Sequence, residues 1–113
     1  MAEPTLTEVL GPNSTQTATT ITIEKADLVS VGLTASASNT AESILAAIIL
    51  KAQQTLTAAG FESNPDQSLT VESGFDTVIP RTDSTGNTSN YRQHQLTLNF
   101  YKPDSESITP DSY

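Results

Sequence analysis

The sequence predicts a small two-layer α+β domain, with one main helix packed on an antiparallel or mixed sheet. Three observations lead there. Residues 40–59 carry apolar side chains at helical spacing, residues 69–75 and 93–101 alternate apolar with polar positions, and residues 19–24 alternate in the same way. At 113 residues the chain has room for one domain. The expected division is an extended N-terminal arm over 1–18, the packed domain over 19–102 and an extended acidic tail over 103–113.

Residues 1–18 hold few large apolar groups, and Gly11-Pro12-Asn13-Ser14 interrupts any helix begun at Thr5–Leu10. An arm is therefore expected, with Leu6, Val9 and Leu10 free to dock on a neighbour. Ile21 and Ile23 alternate with Thr20, Thr22 and Glu24, as in a half-buried strand. Val29, Val31 and Leu33 suggest a second strand or an irregular approach to the helix. For the helix, Asn39 or Ser38 is the expected N-cap, Glu42 lies near the positive end and Gly60 is the expected stop. Ile44, Leu45, Ile48, Ile49, Ala52, Leu56 and Ala59 share one stripe. Leu50 falls outside it and hints at a second contact.

Leu69, Val71, Ser73 and Phe75 form one face of the next strand, which Val78 and Ile79 extend until Pro80 interrupts its hydrogen bonding. Residues 81–90 are nearly all Thr, Asp, Ser, Gly and Asn, and are expected to project as a loop. Leu96, Leu98 and Phe100 point the last strand at the core, and Pro103 stops it. The predicted core is Ile21, Ile23, Ile44, Leu45, Ile48, Ile49, Leu56, Val71, Phe75, Leu96, Leu98 and Phe100.

Charge narrows the partners. Thirteen acidic residues against five basic ones leave a net charge of −8. A nucleic-acid site needs Lys and Arg at the phosphates, and here Lys25, Lys51, Arg81, Arg92 and Lys102 are scattered. The same charge opposes an anionic membrane surface. The longest wholly apolar run, residues 44–50, is too short to span a bilayer. No basic start precedes an apolar segment, so synthesis in a host cytoplasm without secretion by a signal peptide is expected. With no cysteine, no disulfide framework forms.

Chemistry finds little purchase. His94 is the one histidine, and no glycine-flanked nucleophile elbow surrounds any serine. An enzyme would need His94 beside a carboxylate and a hydroxyl. Glu62 and Asp66 bracket a turn. Glu72 and Asp76 on one strand stand roughly 13 Å apart, too far for a paired-carboxylate hydrolase. Asn64, Asp66 and Gln67, and Asp83, Ser84, Asn87 and Asn90, are oxygen-rich groups without calcium-loop spacing; both read as turns. One histidine and no cysteine give zinc little to hold. No glycine-rich phosphate loop is present. The expectation is a protein that is not an enzyme and has no catalytic, cofactor or metal site, no small-molecule substrate, and no nucleic-acid or membrane partner.

What remains is assembly. The Thr/Ser/Asn-rich composition, without cysteine or tryptophan, resembles that of small structural proteins of tailed bacteriophages. The resemblance is one of composition and style and rests on no motif. It implies a virion subunit that meets copies of itself and other virion proteins, as a capsid decoration or cement protein or a head–tail joining protein. A tail-tube or tail-terminator subunit, with a long hairpin across residues 69–101, is the alternative; a small bacterial binding domain is another. The expected contact residues are Leu6, Val9, Leu10, Ser84, Asn87, Tyr91, Ile108 and Tyr113.

Overall fold

The structure, a computed structural model, describes residues 2–102 and 110–113. It is a small α+β domain in which one main, bent helix packs against several small antiparallel sheets. Helices α1 (Leu6–Leu10), α2 (Ala41–Thr55) and α3 (Ala58–Ser63) accompany strands β1 (Thr15–Gln16), β2 (Ile21–Thr22), β3 (Leu69–Ser73), β4 (Thr77–Thr82), β5 (Thr88–Gln93) and β6 (Leu96–Phe100). The single sheet expected from the alternating segments is replaced by three two-stranded ones: β1–β2, β3–β6 and β4–β5.

The N-terminal segment is not an extended arm. Thr5 and Glu8 form a reciprocal capping box that starts α1, and Gly11 ends it before the proline. α1 packs on α2, and the Thr55 hydroxyl donates to the Glu8 carbonyl at 2.6 Å. Residues 28–34 do not form a strand. A 3₁₀-helix spans Lys25–Val31 and stops at Gly32, whose φ of 107° suits a residue without Cβ.

The main helix begins one residue later than the expected caps. Thr40 accepts from the Ser43 N–H, while the Asn39 side chain braces the preceding loop through Ser36 and Thr34. It bends at Leu56 rather than running on to Gly60, because Leu56 leaves helical geometry, its carbonyl accepts from the Val71 N–H of β3 at 2.8 Å, and Thr57 caps α3. The buried Gln67 amide clamps this corner by donating to the Thr57 and Leu69 carbonyls. Read as one helical run, Ala41–Ser63 is long and apolar enough to cross a membrane, with a mean hydropathy of 1.3. The expectation from residues 44–50 alone understated its length.

β3–β6 and β4–β5 nest in register, so residues 69–100 form one long hairpin. Ser73 pairs with Leu96 and Thr77 with Gln93. Three residues (74–76) therefore face two (94–95), which is a bulge that kinks the ribbon. Pro80 does not end β4, where it pairs with Asn90. The Asp83 N–H donates to the Asn87 carbonyl, and alternation along the ladder then places Pro80 at a non-hydrogen-bonded position, where its missing N–H faces outward. The expected loop over 81–90 shrinks to a turn at 83–87.

The core is smaller than the sequence predicts. Leu28, Leu33, Ala47, Leu56 and Val71 are its buried apolar residues, with Ile23, Val31 and Ile48 packed against the Leu28 cluster. Of the predicted core, Phe75 is 86% exposed, and Ile21, Leu45, Leu98 and Phe100 are each about half exposed or more. β2 is too short to bury Ile21, and the bulge carries Phe75 beyond the reach of α2.

Candidate interaction surface

The bend of the hairpin leaves a groove. On one side α2 presents Ala46, Ile49 and Leu50; on the other the hairpin presents Phe75 and His94 of the bulge and Leu96 of β6. The space is open and measures about 830 Å³. Its deeper end is pinned by the Gln53 amide, which donates to the Ser73 hydroxyl at 3.1 Å. Leu50, outside the main helical stripe, lines this groove and is 38% exposed.

His94 and Asp76 meet at the rim, with Nδ1 3.1 Å from the carboxylate and both side chains open to solvent. The bulge brings them together, a proximity that sequence spacing does not reveal. This is one part of what an enzyme would require; Ser73 borders the same groove, with its hydroxyl accepting from Gln53. Glu72 turns to a different task, accepting from Asn99 at 2.8 Å and from Thr70 at 3.3 Å. Among the described residues no three His, Cys, Asp or Glu side chains group as metal ligands.

The expected contact residues separate into two sets. Leu6, Val9 and Leu10 are half-buried within their own chain, on the helix that packs against α2. Tyr113 also folds back, its ring 5.7 Å from that of Phe100 and below the Lys102 ammonium at 5.5 Å. Ile108 lies outside the described residues. Ser84, Asn87 and Tyr91 remain on the surface of the projecting hairpin. Tyr91 pairs across the ribbon with Ile79, and Arg81 stacks over its ring at 4.8 Å.

The hairpin tip is a built turn. The Asp83 carboxylate accepts from the Thr85 hydroxyl and from the N–H groups of Thr85 and Asn87. These bonds, the Thr85 hydroxyl foremost, hold its pKa below the ordinary aspartate value. Gly86 closes the turn at φ 89°. The second oxygen-rich group is also a turn: the Asn64 side chain accepts from the Asp66 N–H. No family model, curated protein or solved structure matches the chain.

Proposed function

We propose that the chain is a non-enzymatic assembly subunit whose apolar surface is completed by copies of itself. The observation that carries this reading is the amount of large apolar surface left uncovered. Phe75, Val78, Leu45, Leu98, Phe100, Tyr91 and Ile79 are all 40% exposed or more. Six of the seven lie on the hairpin over residues 69–100, and large exposed apolar surface marks interaction sites. The shape agrees: the radius of gyration is 17.1 Å, against ~13 Å for a compact chain of this length.

The setting we propose is a phage virion, as a decoration, cement or head–tail joining protein, on the compositional likeness described above. The long kinked hairpin favours a second reading, a ring-forming tail-tube or tail-terminator subunit. A membrane role is opposed by Lys51 near the middle of the helical run, since a lysine at a bilayer centre costs about 2.5–3.5 kcal/mol on insertion scales. The bend at Leu56 opposes it too, because the freed helix carbonyl is already bonded to β3.

The mass of the native chain in solution, followed across concentration by sedimentation, tests the proposal. A closed oligomer is expected, with the number of copies separating ring from decoration geometries. A chain that stays monomeric at the highest concentration overturns it.

A further inference from the structure

Resting on that assembly reading, we propose that the β4–β5 hairpin of one copy docks in the groove between α2 and the bulge of a second copy. The contact is head-to-tail, so each chain gives a hairpin and receives one.

Three observations converge on a second copy as the occupant. First, every residue of β4 and β5 is exposed, and an isolated two-stranded hairpin is marginal in water. One face of this ribbon presents Ile79, Tyr91 and Arg81 together, an aromatic, an aliphatic and an arginine of the kind that anchor interfaces. Second, the groove offers what that face needs: Leu50 and Phe75 are exposed beside Ile49 and Leu96. Third, the charge distribution agrees with this pairing. Residues 77–93 carry Arg81, Arg92 and Asp83, a net +1, so the remaining residues carry −9 of the total −8. Copies of so acidic a chain repel one another, and placing the positive hairpin on an acidic neighbour is the arrangement that opposes this repulsion.

The hairpin cannot fill its own groove. Its stem at Thr77 and Gln93 adjoins the rim at Asp76 and His94, and six paired residues then rise about 20 Å away as a hydrogen-bonded ladder. A head-to-tail contact of this kind closes into a ring or propagates as a filament.

Two variants and their mixture test the geometry. Ile79→Asp spoils the hairpin and leaves the groove. Phe75→Asp spoils the groove and leaves the hairpin. Each is expected to raise the concentration for half-assembly about tenfold or more. Mixed in equal amounts, they are expected to form a species of two chains and stop there, because one intact hairpin meets one intact groove. Should Ile79→Asp lose the wild-type circular dichroism, Arg81→Glu takes its place under the same criteria. A wild-type oligomer that either folded variant leaves unchanged overturns the docking and spares the assembly reading. Folded variants whose mixture stays monomeric overturn it as well, since a symmetric contact behaves that way. A monomeric wild type overturns both.

Discussion

At the scale of single residues, the N-terminal segment is fastened by one buried carboxylate. Asp27 accepts from the Asn13 N–H at 2.9 Å and from the Asn13 side-chain amide at 2.8 Å. Gly11 makes room for it: a Cβ there would lie 2.5 Å from the Asp27 Cβ and 2.6 Å from a carboxylate oxygen, and φ is 120°. Gly11→Ala therefore brings backbone strain and a clash at a satisfied buried acid. The expected loss is about 1–3 kcal/mol, read as a lower urea midpoint with an unchanged slope. A midpoint equal to wild type would mean that the segment is not held in this way. His94 and Asp76 illustrate the opposite case, a pair made by backbone geometry yet left in solvent.

At the scale of elements, the hairpin turn is the one tied to pH. The Asp83 pKa is lower in the fold than in the free chain because three donors address its carboxylate. Its contribution to turn order is therefore present above the ordinary aspartate value, about 3.9, and is lost as pH falls through the depressed pKa. The Thr85 and Asn87 amide resonances should titrate with a midpoint below that value, and a midpoint at or above it would contradict the carboxylate-capped turn. The same turn marks the limits of sequence reading. Polarity at residues 81–90 correctly signals projection, but it hides that Arg81, Thr82 and residues 88–90 are paired strand, since a ribbon exposed on both faces needs no apolar alternation. The helix, the strands β3 and β6 and the α+β class are legible, but which strand face is buried is not: Thr70 on the polar face is enclosed, while Leu98 and Phe100 stay about half exposed. The bend at Leu56 is not legible either, because it depends on a strand N–H from fifteen residues further on. Nor is the groove, which exists only because one strand of the hairpin carries an extra residue.

At the scale of the whole molecule, a small core stands beside a large exposed apolar surface, and the proposed assembly would couple stability to association. Among the described residues five apolar side chains are buried, and Leu28 and Thr70 are the largest fully enclosed. Phe75, Val78, Ile79 and Tyr91 on the long hairpin stay exposed outside that core. On the proposed assembly, neighbours supply part of the stability, since whatever binds the folded state alone stabilises it by mass action. The thermal midpoint should accordingly rise with protein concentration, while in Phe75→Asp, whose replaced ring is 86% exposed and so outside the core, it should be lower at high concentration and nearly independent of it. Differential scanning calorimetry over a hundredfold range, about 2.7 kcal/mol of mass action for one tightly coupled contact, separates the cases. If wild type and variant share one concentration-independent midpoint, the exposed surface plays no part in holding the fold. If both midpoints rise in parallel, association runs through a different face. Only a rise confined to the wild type joins the uncovered apolar surface, the kinked hairpin and the assembly into one physical account.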